Sequence, residues 1–167
     1  MLKSFRTITL ILTLSLMAFI FYMSSQNGAE SSDFSATVVK FFAKIFVSDF
    51  ELLSIEEQAT IISSFQFIVR KGAHFSIYAI LGGLSYLSVV TYNRIPFKLR
   101  SVISGCICLV YSISDEFHQS FVPGRSGEIR DVCIDLCGSL LAIIFLTLIF
   151  KYSKFKFLKY LRGENNA

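Results

Sequence analysis

Charge is scarce in this chain. Only 17% of its 167 residues are Asp, Glu, Lys or Arg, where a soluble domain carries about 25%. Tryptophan is absent and proline occurs twice, while phenylalanine reaches 18 and 53% of residues are hydrophobic. The missing charge leaves four apolar blocks, each too long for a solvated surface helix. That pattern argues against a soluble enzyme, a nucleic-acid reader and a disordered chain.

Missing motifs narrow the field further. There is no GxxxxGKS/T phosphate loop, so Asp115-Glu116-Phe117-His118 matches a helicase box in letters only. HExxH is absent, which leaves a zincin unsupported. No GxSxG elbow marks a serine nucleophile. The four cysteines, Cys106, Cys108, Cys133 and Cys137, lie inside apolar blocks and form no loop-rich disulfide framework. They read as small packing residues. Cys133 and Cys137 are one helical turn apart, but no CxxC pair supports a metal there. Neither an internal repeat nor a low-complexity stretch is found.

What is present is a set of membrane spans. A helix crossing the hydrocarbon needs roughly 17–25 apolar residues. Residues 7–23 meet that limit and read as an uncleaved span, because Ser24-Ser25-Gln26-Asn27-Gly28-Ala29 makes a poor signal-cleavage site. Residues 74–92 and 132–150 are the second and fourth candidates, the fourth with one charge at Asp135. The third apolar run, 101–114, is too short alone. Arg100 limits it on one side, so it must extend through Asp115, Glu116, His118 and Gln119 to about 100–119. Those polar residues are then expected at membrane depth. The fold class that follows is all-α: an integral bundle of four transmembrane helices, read as a single domain over 1–167.

The Lys and Arg distribution sets the orientation. One side holds the N-terminus, the loop around Pro96 and a basic tail from 151 to 167. It carries ten basic residues, with Glu164 its only acid, while the other side carries six basic residues and eleven acids. The basic side is expected in the cytoplasm, with both termini inside. Segments 24–73 and 115–131 then lie outside, the second turning at Pro123-Gly124.

The first outer segment is expected to hold one or two amphipathic helices. Phe34, Val38, Phe41, Phe42 and Ile45 recur at helical spacing. Ser54-Ile55-Glu56-Glu57 reads as a capping box, and Ile55, Ala59, Ile62, Phe65 and Val69 form a second stripe. Two arrangements stand open: helices lying on the membrane, or helices packed over the spans.

Polar groups converge at the outer ends of three spans. Arg70, His74 and Tyr78 are spaced by four and share a face, with Lys71 beside them. Asp115, His118 and Gln119 share a face of the next span, with Glu116 adjacent. Arg125 lies in the turn, and Asp131 and Asp135 open the last span on one face. An ionised Asp inside a span costs about 2.5–3.5 kcal/mol even on the lenient insertion scale, so such groups face the bundle and find partners. One reading is a paired network, with Arg70, Arg125 or Arg130 neutralising the carboxylates. The other is a partly hydrated, ion-responsive cleft, which the excess of carboxylates over bases favours. His74, His118, Asp115 and Glu116 offer donors for a divalent ion, but without a metal motif no metal or cofactor is assigned.

These residues carry a family resemblance. Arg70-Lys71-Gly72-Ala73-His74-Phe75, followed by Tyr78 and Leu81, resembles the first signature of the VanZ-like family. Asp115-Glu116-Phe117-His118-Gln119 and then Phe121-Val122-Pro123-Gly124-Arg125 resemble the second. Asp131-Val132 with Gly138 resembles the third, and Ser25-Gln26 matches a further feature. The family usually has Asn where this chain has Asp135. A neutral Asp135 can stand in for Asn as donor and acceptor; its protonation state stays open.

The resemblance implies a small multi-pass protein of the bacterial cytoplasmic membrane, in a family whose named member is associated with resistance to the glycopeptide teicoplanin. The partners it implies are membrane lipids and a lipid-linked cell-wall precursor or the glycopeptide, with no nucleic acid. Nothing in the sequence offers a CoA or acyl-phosphate site. Three functions compete. The first is a protein that binds or shields a lipid-linked cell-wall component, or the antibiotic, at the outer face, with Arg70, Lys71 and Arg125 on its anionic groups. The second is an enzyme on a lipid head group, with His74 or His118 as acid or base and Asp115 or Glu116 orienting it or holding a metal. The third is a small transporter, against which stands the lack of charge in the inner halves of the spans.

Overall fold

The computed structural model describes residues 2–162. Among them 84% are helical and none is in a strand. Six helices follow one another: α1 (Leu2–Ser24), α2 (Gly28–Phe46), α3 (Ile55–Val90), α4 (Phe97–Gln119), α5 (Ile129–Tyr152) and α6 (Lys156–Arg162). A single 3-10 turn, Phe50–Leu52, lies between α2 and α3. The helices α1, α3, α4 and α5 are each long and apolar enough to cross a membrane. The chain is an all-α, multi-pass membrane bundle.

The capping box at Ser54 forms: the Glu57 amide donates to Ser54 Oγ, and the Ser54 amide donates back to Glu57 Oε2. It starts a 36-residue helix, about 54 Å long at 1.5 Å per residue. The second expected amphipathic helix is therefore not separate. Its apolar stripe runs unbroken into the span expected at 74–92, because nothing between Val69 and His74 stops a helix. Gly72 alone costs about 1 kcal/mol there.

The helix α2 folds back along the first half of α3. Gln66 Nε2 donates to the Ser32 carbonyl at 2.7 Å and to Ser35 Oγ at 3.0 Å. Small residues make the contact, since Ser35, Val39 and Ala43 are the buried positions of α2. The expected stripe is the other face: Phe34, Phe41, Phe42 and Ile45 stay exposed. The hairpin thus packs by its small side and presents its aromatic side outward.

Two glycines set the spacing between α3 and α5. A Cβ at Gly138 would stand 2.2 Å from the Phe75 carbonyl oxygen, and one at Gly82 would stand 2.5 Å from the Ser139 carbonyl oxygen. Small residues let membrane helices approach this closely, and Ser139 Oγ adds a 3.0 Å bond to the Tyr78 carbonyl. On the other side Thr13 Oγ1 meets Ser88 Oγ at 3.2 Å, and Tyr111 donates to the Met17 carbonyl at 2.5 Å. The core is built on Tyr78, Leu81, Tyr86, Val90, Ile143 and Phe150. Leu10, Ile11, Val110, Ile144 and Phe145 face outward, as a bundle in lipid requires.

At the end of the bundle that holds the 92–96 turn, arginines close the C-terminus of α3. Arg100 donates to the Val90 and Ile95 carbonyls at 2.7 and 2.9 Å, and Arg6 donates to the Thr91 carbonyl at 2.7 Å. Arg100 does not limit its span, as the sequence suggested. It lies within α4, buried, because the Val90 carbonyl that ends α3 and the Ile95 carbonyl of the turn take its guanidinium. The tail also differs from a free basic segment. The last span continues to Tyr152, and α6 then places Leu161 in the core while Phe157 meets Phe5 edge-on. Glu164 and the rest of the expected tail lie outside the described residues. Of the cysteines only Cys108 is buried; Cys106, Cys133 and Cys137 are exposed, so packing accounts for one of the four.

Candidate functional site

The opposite end of the bundle gathers the polar residues of α3, α4 and α5. The close α3–α5 contact at Gly138 puts the faces bearing Lys71 and His74 against the start of α5. Lys71 Nζ donates to both carboxylate oxygens of Asp131, and both side chains are nearly buried. One turn deeper, His74 Nδ1 lies 3.4 Å from Asp135 Oδ1. Asp135 is fully buried, and its second oxygen accepts from Ser112 Oγ at 2.9 Å.

The helix α4 supplies the remaining carboxylates. Asp115 Oδ2 accepts from Gln119 Nε2 at 3.1 Å and from the Tyr78 hydroxyl at 3.3 Å. Gln119 also donates to Ser24 Oγ at the end of α1. Glu116 Oε2 accepts from the Glu128 amide at 3.0 Å, where the 120–128 loop presses on α4. Among the described residues, three buried carboxylate oxygens remain without a hydrogen-bond partner: Asp115 Oδ1, Glu116 Oε1 and Asp135 Oδ1. Leaving a buried acceptor unmade costs roughly 1–3 kcal/mol, so three in one place need a reason.

The expected arginine pairing is not what forms. Lys71 takes Asp131, and Arg130 pairs with Glu128 on the surface at 2.7 Å. Among the described residues, neither Arg70 nor Arg125 has a carboxylate within ion-pair distance. The Arg125 guanidinium reaches only the Met23 carbonyl, at 3.4 Å, and its Nε is buried without a partner. Burial, together with the neighbouring Arg70 charge, pulls its pKa below the usual arginine value. The turn that carries it is held by Gly28 donating to the Pro123 carbonyl at 3.0 Å, and Gly124 there has φ of +74°. That conformation suits glycine.

Two cavities meet at these arginines. A polar chamber of about 150 Å³ is lined by Lys71, Gln119 and Asp131 among others. An apolar groove of about 350 Å³ runs between α1, α2 and α3, along Phe19, Ile20, Phe34, Val38 and Ile77. Ser31, Arg70, His74 and Arg125 line both.

Ten of the expected site residues are therefore brought to one end: Arg70, Lys71, His74, Tyr78, Asp115, Glu116, Gln119, Arg125, Asp131 and Asp135. His118 is set apart from them. It stacks on Phe21 with ring centroids 4.4 Å apart, and its Nε2 meets Ser25 Oγ at 3.2 Å. The inward face of α4 is instead Ser104, Cys108, Ser112, Asp115 and Gln119, all buried. Ser112 is the member that sequence reasoning missed. Its spacing of three before Asp115 within that small polar stripe is the signal that would have found it.

A family model described as VanZ/LLP1 matches residues 9–151. The chain belongs to the VanZ/LLP1 family. A search of curated proteins and one of solved structures each found no match. The matched stretch contains every residue of the cluster. As a VanZ/LLP1 member, the chain is a membrane protein of a family linked to glycopeptide resistance.

Proposed function

We propose that this VanZ/LLP1 protein binds an anionic amphiphile at the outer face of the bacterial cytoplasmic membrane. The ligand is a lipid-linked cell-wall component, or a glycopeptide bearing a lipid chain, and its capture contributes to teicoplanin resistance. One observation carries the reading: an apolar groove and a polar chamber join at two arginines that have no carboxylate partner among the described residues. A phosphate or carboxylate between Arg70 and Arg125 neutralises both, and the planar fork of arginine suits either group. The apolar chain then lies along Phe19, Phe34 and Val38 in the groove. Ligand sites of this kind are mostly apolar with a few convergent polar groups. The inside-positive charge distribution supports cytoplasmic termini and an outward-facing site.

Two measurements test this. The first compares teicoplanin susceptibility with and without the gene. The proposal expects deletion to raise susceptibility and overexpression to lower it; no change in either direction removes the resistance role. The second labels Arg70→Cys and Arg125→Cys from outside intact cells with a membrane-impermeant maleimide. Labelling only after the membrane is opened removes the outer-face assignment.

A second reading is an enzyme acting on the same head group. It rests on His74, which lines both cavities and faces Asp135. An enzyme loses nearly all activity in His74→Ala or Glu116→Gln, whereas a binding protein loses affinity in graded steps.

A further inference from the structure

Below the arginines lies a second constellation. His74 from α3, Glu116 from α4 and Asp135 from α5 each offer a ligand atom, and these atoms all lie within 4.8 Å of one another. Each of the three residues also holds one buried polar atom, His74 Nδ1, Glu116 Oε1 and Asp135 Oδ1, that has no hydrogen-bond partner among the described residues. Glu116 is 4% exposed and Asp135 is not exposed at all. The partner oxygens of both carboxylates are occupied, Glu116 Oε2 by the Glu128 amide and Asp135 Oδ2 by Ser112 Oγ. Each carboxylate is thus held by one oxygen and keeps the other free of a hydrogen bond within this three-residue group. Outer-shell partners orient metal ligands in the same way.

A His74–Asp135 ion pair by itself does not account for this. It uses one carboxylate, at 3.4 Å, and leaves buried Glu116 Oε1 without a hydrogen bond among the described residues. The neighbouring bases are committed elsewhere or stand at the cavity junction: Lys71 is held by Asp131, and Arg70 and Arg125 line the two cavities. A divalent cation satisfies all three donors and offsets both carboxylate charges.

We propose that His74, Glu116 and Asp135 bind one divalent transition-type cation between α3, α4 and α5. One imidazole and two carboxylates suit Mn²⁺ or Zn²⁺ better than an all-oxygen Ca²⁺ cage, and they leave coordination positions open. Metal–ligand distances of about 2.0–2.2 Å require the three atoms to draw in by roughly 1 Å or less. Side-chain rotation supplies that movement. His118, on the Phe21 side of α4, takes no part. The site lies beside the polar chamber through His74, so an open coordination position faces an anionic group held there. The cation site stands without any lipid being bound.

Purified detergent-solubilised protein, stripped with chelator and titrated with Mn²⁺, provides the test. Electron paramagnetic resonance is expected to show one tightly held Mn²⁺ per chain. Pulsed measurements should show the nitrogen modulation of a coordinated imidazole, lost in His74→Gln. Asp135→Asn and Glu116→Gln preserve shape and are expected to fold, and each should weaken Mn²⁺ at least tenfold. His118→Ala should bind as the parent does. Wild-type protein that holds no Mn²⁺ overturns the proposal. So does binding without nitrogen modulation, or binding unchanged in folded Asp135→Asn and Glu116→Gln.

Discussion

The two ends of the bundle use the same residue types to different effect. At one end Arg6 and Arg100 are spent on the Thr91 and Val90 carbonyls, the cap and the last residue of α3. At the other, among the described residues, Arg70 and Arg125 have no carboxylate partner and three buried carboxylate oxygens have no hydrogen-bond partner. The first end is a finished structure, in which each guanidinium closes a helix terminus. The second gathers its polar groups around the junction of two cavities. An arginine in a membrane protein is therefore not informative by its charge alone. What it lacks in the folded chain is the signal.

The comparison can be broken most severely through the spacing of α3 and α5. Gly138→Val puts a branched side chain where even a Cβ would lie 2.2 Å from the Phe75 carbonyl. A loss of about 4 kcal/mol or more is expected, since backbone cannot yield as a side chain does. Little folded protein should elute as a monodisperse peak on size exclusion.

The next effect concerns the Lys71–Asp131 ion pair inside the site. Lys71→Met leaves Asp131 nearly buried and unpaired, and is expected to cost about 3–5 kcal/mol. The double variant Lys71→Met with Asp131→Leu should recover most of that loss. Thermal unfolding in detergent reads both, and a double variant no better than the single would argue that the pair does more than neutralise itself.

Arg100→Ala should cost about 3 kcal/mol, because it abandons the buried Val90 carbonyl and the part-buried Ile95 carbonyl. Arg70→Ala and Arg125→Ala should move the midpoint far less than Arg100→Ala, since neither side chain makes an ion pair among the described residues and Arg125 gives up only a 3.4 Å bond to the Met23 carbonyl. This contrast between the two ends sharpens the account directly. Equal destabilisation at both ends would mean that Arg70 and Arg125 are structural too.

The smallest effect is expected at the hairpin tip. Lys44 lies 2.5 Å from Glu51, and this hydrogen-bonded partner holds the Glu51 carboxyl below its ordinary pKa. A depressed carboxyl stabilises above its unfolded pKa and loses that contribution as pH falls. Both groups are open to solvent, so Lys44→Ala should leave the unfolding midpoint unchanged at neutral pH.

Much of this was legible in the sequence because a membrane helix is a long, simple signal. The forced extension of the third span placed Asp115 and Glu116 at the bundle end, and the i, i+4 spacing put Arg70, His74 and Tyr78 on one face. What was not legible depended on contacts. Nothing in the order of residues says that Arg100 folds back onto Val90, or that the hairpin packs by Ser35 and Ala43 instead of its phenylalanines. His118 shares a periodicity with Asp115 and Gln119, but the nearby Phe21 ring offers it a better surface. Ser112 was overlooked because an isolated serine in an apolar run carries no pattern until the whole inward face of α4 is traced.

The central claim is that Arg70 and Arg125 are held without a carboxylate partner in order to meet an anionic amphiphile. Its most direct test is equilibrium binding of a fluorescent polyprenyl phosphate, beside the matching uncharged polyprenol, to purified protein in nanodiscs. The account predicts saturable binding of the phosphate, at least tenfold weaker binding of the alcohol, and a similar loss in either Arg70→Ala or Arg125→Ala with folding intact. Equal affinity for phosphate and alcohol, or binding that survives removal of both arginines, would contradict it.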